Sequence, residues 1–573
     1  MKTVLSYCKP YAFYTVITLV IKTVGTVMDL FIPYLLGYIL DEVVPHCTKE
    51  NLGGVFLWGS LMILCAIVAL VGNVVANRRT SRFARDVIRN IRSDLFKKIL
   101  SLSAAQTDKV TVPSLVSRMS SDSYSVHSLL NVVLRAGLRA PILLVGGIVV
   151  TLSIEPVLAL SFVVLLPLLA WVVTFVSRRG VHLFKDKQKR VDAMVEKLRD
   201  TFTGISVIKA LSKISYEKES FGTINQALSH SEETANITMS VTRPVINVFL
   251  NLGMVAVVAL GAWRVHLGFT TPGQIISFMS YFSIILNATL VLTRIFTVCT
   301  KGVASAERIS EIFAMEEDLP VQEEKTPDEH APFLEFRDVT FSYNKNVPAL
   351  EHLSFSLEKG QTLGIIGGTG AGKTTLIQLL LRFYDPDEGS ILLEGRDLRT
   401  IPREELTARF GVVFQNDFLM ADTLKENIRF GRELTDEALE CATVSAQADS
   451  FIKEKSGLEY DLATAGANLS GGQRQRILIS RALAGDPEIL ILDDSSSALD
   501  YKTDAALRGA IREKYCDATC ILVAQRISSI RSADLILVLE HGELIGIGKD
   551  EDLIQSCEVY REIAHSQMGE MMV

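Results

Sequence analysis

The chain has no excess of positive charge. Its 58 lysines and arginines face 65 aspartates and glutamates, for a net charge of -7 and an isoelectric point near 5.8. That balance argues against general nucleic-acid binding. Cysteine is also sparse, with eight in 573 residues, scattered at positions 8, 47, 65, 299, 441, 516, 520 and 557. The close pair Cys516-x-x-x-Cys520 has no histidine or second cysteine pair beside it. A zinc site is therefore not expected, and the thiols read as reduced core or membrane residues. No internal repeat of about 20–50 residues is present. No cleavable signal peptide is evident either, because the first apolar run is too long and no small-residue cleavage site follows it.

Apolar residues are abundant, at 48% of the chain, and the mean hydropathy is +0.29. They concentrate in the first 310 residues. A membrane-spanning helix needs about 20 mostly apolar residues. Six segments qualify, at roughly 11–38, 52–76, 126–152, 157–177, 241–262 and 273–298. The third is interrupted by Arg135 and Arg139, and its fully apolar part is 140–154. Lysine and arginine crowd two long segments, 78–125 and 178–240, while the other loops are short and poor in them. The charge bias predicts that these two segments and both termini are cytoplasmic and that the protein is multi-pass in the plasma membrane. Within 80–102, Phe83, Val87, Ile91, Leu95, Ile99 and Leu102 recur at three- and four-residue steps, so the basic segments read as helices that continue beyond the bilayer. Polar groups fall inside the spans: Lys22, Asp29, Asn247, Asn251, Asn287 and Arg294. Lys22 and Asp29 lie two helical turns apart and are expected on one face, serving either a shared cavity or helix–helix hydrogen bonds.

The later part, 333–573, alternates strand-like and helix-like stretches, and it holds the organising motif. Gly367-Gly368-Thr369-Gly370-Ala371-Gly372-Lys373-Thr374-Thr375 has the spacing G-x-x-x-x-G-K-[ST] of a phosphate-cradling loop. The apolar run Leu363–Ile366 reads as the strand before it and Leu376–Leu381 as the helix after it. Glycines admit backbone N–H groups to phosphate oxygens, and the helix N-terminus adds partial positive charge. Lys373 is then expected at the β- and γ-phosphates of ATP, and Thr374 at Mg²⁺. Asp493 ends the apolar strand Ile489–Leu492, a position that suits Mg²⁺. Ser470-Gly471-Gly472-Gln473 opens a helical stretch from Arg474 to Ala484, with Ser470 able to cap it and the glycines able to approach an anion. Tyr343 follows the alternating strand Phe333–Phe341. By its neighbours alone it is a strand-end aromatic, although its ring could also stack on adenine.

These pieces together resemble an ATP-binding-cassette (ABC) half-transporter of the exporter type, over nearly the whole chain. The resemblance implies an α-helical six-span transmembrane domain (1–310) with long cytoplasmic extensions, a linker (311–332), and an α/β P-loop nucleotide-binding domain (333–573). It assigns Tyr343 to adenine stacking, Gly367–Thr375 to Walker A, Gln415 to the Q-loop and to Mg²⁺ with Thr374 and Asp493, and Ser470–Gln473 to the signature. Asp493 becomes the end of Walker B and Asp500 the D-loop. Leu115–Arg118 and Gly204–Ala210 resemble the two coupling regions. Each ATP in such a family lies between Walker A of one domain and the signature of another.

The chain departs from the pattern at two catalytic positions. Where the family has Glu after the Walker B Asp, this chain has Asp494, whose carboxylate falls short by about 1.5 Å, one C–C bond. Where the family has a switch His, it has Gln525, an amide that can donate but never becomes cationic. The stretch Leu462–Asn468 also lacks the Val-Gly-Glu element that often precedes the signature. A poor Walker site with an intact signature is what one subunit of an asymmetric heterodimer should carry. The expected partners are a second half-transporter, the lipid bilayer and a cargo, with no nucleic acid. A homodimer with two slow sites, an importer on the same fold, and an ATP-gated channel or regulatory subunit are the alternatives. Drugs, lipids, peptides and siderophores all remain open as cargo.

Overall fold

Apolar residues at helical steps over lengths far beyond one bilayer dictate long helices, and alternating or wholly apolar short runs dictate strands. Both are present in the computed structural model of the protein. It describes residues 1–46, 52–323, 331–343, 347–495 and 497–568; within helices, most side chains from 161 to 182, and those at 239, 242, 243, 246, 249, 250, 293 and 568, lie outside that description. The chain divides into two compact units, Met1–Leu100 with Pro113–Met315, and Ser101–Val112 with Glu316–Val573. The seven described cysteines are free thiols.

The first unit is helical. Among the described residues, four helical stretches are long and apolar enough to cross a membrane: Lys2–Val43, Gly53–Leu100, Val112–Ile154 and Pro272–Ala314. They correspond to the expected spans 11–38, 52–76, 126–152 and 273–298. The remaining two, 157–177 and 241–262, fall in the helices Pro156–Thr203 and Thr242–His266, where many side chains lie outside the described residues. The expected third span is broken. Helix Ser123–Arg135 ends where the Gly137 N–H reaches back to Val132 and Val133, and a second helix runs Arg139–Ile154. Helix Gly53–Leu100 has 48 residues, or about 72 Å at 1.5 Å per residue, more than twice a hydrocarbon core. Beyond its apolar part, Phe83, Val87, Ile91 and Leu95 are buried in one stripe, as the periodicity requires.

Two of the intramembrane polar groups, Lys22 and Asp29, are taken up between helices. Lys22 donates to Asn77 Oδ1 at 3.0 Å. Asp29 accepts from Arg139 at 3.1 Å and from Asn73 at 3.3 Å. These are the helix–helix hydrogen bonds expected of Lys22 and Asp29. A cavity in this unit, about 580 Å³ and lined by Phe31, Tyr34, Tyr38, Asp41 and Tyr281 among others, is lined by neither. Satisfying each group on a facing helix removes the cost of a bare charge in an apolar medium. Asn287 turns its amide to the Ser283 carbonyl of its own helix.

Helices Ala12–Tyr38 and Gly53–Leu100 approach closely where Gly25 faces Gly72. A Cβ at Gly72 would stand 3.4 Å from Gly25 Cα, and one at Gly25 3.3 Å from the Ala69 carbonyl. Gly72→Leu should therefore overpack the seam and lose about 1–3 kcal/mol. The expected result is less folded protein and a lower melting temperature in detergent. Gly59→Leu on the same helix, where an added Cβ meets nothing within 4 Å, should leave both unchanged.

The second unit holds two sheets. The smaller is antiparallel, in the order β2-β1-β4-β5, from Leu334–Phe341 (β1), Leu350–Leu357 (β2), Glu388–Leu393 (β4) and Arg396–Asp397 (β5). Phe336 and Phe355 are register partners across β1 and β2 and stack at 4.6 Å, a pairing that fixes the strands. The larger sheet runs β10-β9-β3-β8-β7-β6. Its strands are Thr362–Gly367 (β3), Phe410–Val413 (β6), Ile489–Asp493 (β7), Thr519–Val523 (β8), Leu535–Glu540 (β9) and Glu543–Gly548 (β10). Strands β6, β7, β8, β3 and β9 are parallel, and β10 is antiparallel. β7 is buried along its whole length, as a strand covered on both faces should be.

Candidate functional site

In a parallel sheet the loops that leave the carboxyl ends of neighbouring strands share one edge, and ligands collect there. Here β3 lies beside β8, β8 beside β7, and β7 beside β6. The loop after β3, Asp493 and Asp494 at the end of β7, Gln525 just past β8 and Gln415 just past β6 therefore meet. They line a cavity of about 320 Å³ with Tyr343, Thr369, Gly370, Ala371, Gly372, Lys373, Thr374 and Thr375. Gly367 is the last residue of β3 and Gly368 opens the turn.

Gly372 is the residue before helix Lys373–Leu380 and has φ +96°. A Cβ there would sit 2.7 Å from both the Ala349 carbonyl and the Leu350 side chain, so glycine is required for conformation and for space. The turn aims the helix N-terminus, with its unsatisfied N–H groups, into the cavity. Lys373 Nζ donates to the carbonyls of Gly367 at 2.9 Å and Gly368 at 2.7 Å, which holds the ammonium over the loop. Burial pulls the Lys373 pKa down, opposed by Asp493 and Asp494.

Asp493 is 3% exposed. Burial first, and then the neighbouring Asp494 carboxylate, push it up to about 6, against the pull of Lys373. Asp494 is raised as well, mainly by burial, with Arg526, Lys373 and Gln525 working against the shift. Two carboxylates in a buried pocket with one lysine leave negative charge that a divalent cation would relieve, and Thr374, Gln415 and Asp493 offer the hard oxygen donors that Mg²⁺ takes. The described residues contain no group of three or more His, Cys, Asp or Glu placed to hold a metal, so such an ion must depend on water and phosphate oxygens for its remaining ligands.

The two residues that depart from the family pattern touch each other. Gln525 Nε2 donates to Asp494 Oδ2 at 2.8 Å. Asp494 sits at φ +51°. The ring of Tyr343 is half-exposed at the cavity and meets Tyr384 edge-on at 5.3 Å and 86°. Its hydroxyl donates to Gln378 Oε1 and lies 3.2 Å from Thr375 Oγ1.

The signature residues do not line this cavity. Ser470 caps helix Gly471–Leu483, its Oγ accepting from the Gln473 N–H at 3.3 Å while the Gln473 side chain accepts from the Ser470 N–H at 3.1 Å, a reciprocal capping box. A Cβ on Gly472 would lie 3.1 Å from the Ala498 carbonyl, so the glycine lets this helix end pack on the segment before Asp500. Asp500 caps helix Tyr501–Lys514, accepting from Thr503 N at 3.0 Å and Thr503 Oγ1 at 2.8 Å. Those two bonds hold its carboxyl below the usual range.

Sequence reasoning missed two supports. Arg481 on the signature helix pairs with Asp417 at 2.5 Å and donates to the Phe418 carbonyl, which ties the segment carrying Gln415 to that helix. Residues 101–112 belong to this unit, upstream of the expected coupling stretch Leu115–Arg118. Their helix Ala104–Val110 is capped by a Ser103–Gln106 box, a Ser-x-x-Gln signal that was readable. Asp108 on it accepts from the Tyr384 hydroxyl. Burial and that carboxylate push the Tyr384 phenol up, so it remains a donor.

Comparison with known proteins decides the family. Residues 15–289 match the ABC transporter transmembrane region and 350–497 the ABC transporter domain. YfiB of Bacillus subtilis (strain 168), an uncharacterized ABC transporter ATP-binding protein, is 33% identical over 99% of both chains. The chain belongs to the ABC transporter family. A "Fatty acid ABC transporter ATP-binding/permease protein" of Mycobacterium bovis is 31% identical over 83% of this chain and 76% of its own length. A bacterial Atm1-family ABC exporter solved with ATP bound shares the fold, with TM-score 0.81 over 99% of both chains at 23% identity. This ABC protein is therefore a helical transmembrane domain followed by an α/β nucleotide-binding domain, of the class that couples ATP hydrolysis to transport.

The Asp493 environment fixes a pH dependence. Asp493 titrates at 3.8 when unperturbed and about 6 when folded. The folded state binds its proton more tightly, so stability falls as pH rises through that window. In chelator and without nucleotide, Asp493→Asn removes the penalty. Its melting temperature should exceed that of the unaltered chain at about pH 7.5, with the difference closing toward pH 4. A difference that does not change with pH would show that the buried charge is not the cause.

Proposed function

We propose that this chain is one half of a heterodimeric ATP-driven exporter in the plasma membrane. Its own Walker site binds Mg-ATP but turns it over slowly, and its signature completes a competent site on the partner. The observation that carries this reading is the Asp494–Gln525 hydrogen bond at the phosphate cavity, together with a signature whose capping box is intact. A base must reach the attacking water. An Asp that is shorter than the usual Glu, and already hydrogen-bonded to a side-chain amide, is poorly placed to do so.

The proposed roles follow the cavity. Tyr343 stacks on adenine, Gly367–Thr375 cradle the phosphates with Lys373 at the β- and γ-oxygens, and Thr374, Gln415 and Asp493 hold Mg²⁺, which neutralises phosphate charge when bound. Asp494 and Gln525 occupy the positions of the usual base and switch, and Asp500 frames the facing site. The domain limits carried with this reading are 1–310, 311–332 and 333–573. The name of the mycobacterial relative makes acyl chains the first cargo to test.

Composite sites order the mutants. Lys373→Ala removes a phosphate contact from the slow site, so turnover of the co-expressed pair should fall moderately. Ser470→Arg or a bulky residue at Gly472 blocks approach to the nucleotide that is cleaved, and losing one such preorganised donor costs about 10²–10³-fold. Steady-state ATPase and transport, with ATP binding measured separately, test the order. Equal losses, or a worse loss from Lys373→Ala, would mean two equivalent sites. Uptake in place of export, or flux without turnover, would favour the importer or channel reading.

The loop charges set the orientation. In a cysteine-free background, Ser153→Cys should react with an impermeant thiol reagent on intact cells and Asn90→Cys should not. The reverse pattern would invert the topology.

A further inference from the structure

One side chain far along the sequence holds the main chain on both sides of the switch residue. Gln567, in the last turn of helix Glu558–Met568, donates from Nε2 to the Gln525 carbonyl at 2.7 Å and accepts at Oε1 from the Ile527 N–H at 2.9 Å. A primary amide that donates and accepts at once copies a backbone pairing, and it fixes both position and tilt of the segment it grips. The helix that presents it is itself anchored. Tyr560 and Ala564 are buried against Ala524, Ile527 and Ile530, and Tyr560 donates to Asp550 at 2.7 Å, which also accepts from Arg531 at 2.8 Å. Just ahead of the gripped segment, the Ala524 N–H bonds the Ile365 carbonyl of β3. The residues on either side of Gln525 are thus tied down, by the sheet on one side and by the C-terminal helix on the other.

We infer that Gln567 is a positioning residue for the switch, keeping the Gln525 side chain at Asp494 and at the phosphate cavity. The inference rests on reading that cavity as the ATP site. Gln567 itself is exposed and does not line the cavity, so it acts through Gln525 alone.

The test uses the full-length chain in lipid nanodiscs, unaltered and as Gln567→Met, Gln525→Ala and the double variant. Methionine keeps length and removes both hydrogen bonds. Binding of a fluorescent Mg-ATP analogue should stay within about twofold in Gln567→Met while the slow kcat rises about fivefold, the scale of two partly exposed hydrogen bonds, because Gln525 no longer holds the Asp494 carboxylate. The Ile527 amide should lose protection from hydrogen exchange. In the Gln525→Ala background, Gln567→Met should change nothing further, because the two residues act as one unit. An unchanged or lower kcat, a full additional change in the Gln525→Ala background, or undiminished Ile527 protection would each overturn the inference. Failure of the unaltered chain to bind the analogue would instead remove the ATP reading, with Ile527 exchange still reporting on the bracket.

Discussion

Alignment of parallel strand ends is the constraint on which the chemistry depends. Parallel pairing forces β3, β8, β7 and β6 to finish on one edge. Each then delivers one part: a loop of N–H groups with Lys373, a switch segment, two carboxylates, and Gln415. None of these parts is near another in the sequence. The arrangement opposes stability, because Asp493 is buried beside Asp494 and is raised to about 6. A fold that keeps such a carboxylate depends on other contacts to hold it. The fully buried Leu490, Ile491, Ile365 and Ile521 of the adjoining strands supply them.

The legible parts of the site were those whose chemistry is local. The loop from Gly367 to Thr375 announces itself because the turn, the lysine and the helix start lie within one window. Asp493 was readable because an apolar run ending in a carboxylate is rare in a core. The capping role of Ser470 followed from its place before two glycines. Gln567 was invisible, since a glutamine near a helix end has no local signature and its partners are backbone atoms 40 and more residues earlier. The Arg481–Asp417 pair was hidden for the same reason. In the membrane half, length and periodicity gave the helices. The break at residues 136–138 showed only as Arg135 and Arg139 inside an apolar run, and charge alone does not say whether a helix bends or continues.

Ionisable groups in the spans invited a functional reading, and the contacts give them another. Lys22 bonds helix Gly53–Leu100 through Asn77, and Asp29 bonds that helix through Asn73 and helix Arg139–Ile154 through Arg139. Beside the close approach of Gly25 and Gly72, they form one seam of small residues and polar ties, the two devices by which helices associate where the hydrophobic effect is weak. The cavity nearer the other end of the same helix is instead walled by Phe31, Tyr34, Tyr38 and Tyr281, with Asp41 at its margin. Asp41 is engaged in turn, accepting from the Gly273 N–H at 2.7 Å and from Thr271. Lys22, Asp29 and Asp41 are each engaged by a neighbouring helix or its cap.

The backbone offers a reason for Asp at position 494 that reach alone does not. The residue lies at φ +51°, in the left-handed region where Asp and Asn are enriched and longer side chains are disfavoured. An Asp there lowers local strain, shortens the carboxylate by about one C–C bond, and places it where Gln525 can donate to it. Gln525 in turn has no ionisable form between pH 5 and 8, unlike a histidine, so Asp494 is the only member of the pair that titrates. The two departures are therefore mutually consistent: each suits the other's geometry, and together they replace a pair containing an imidazole by a shorter one in which only the carboxylate titrates. The exchange stays local to the carboxyl edge of the sheet. It leaves the signature helix untouched, because that helix is organised by its own capping box and by Arg481, on the far side of the segment that carries Gln415.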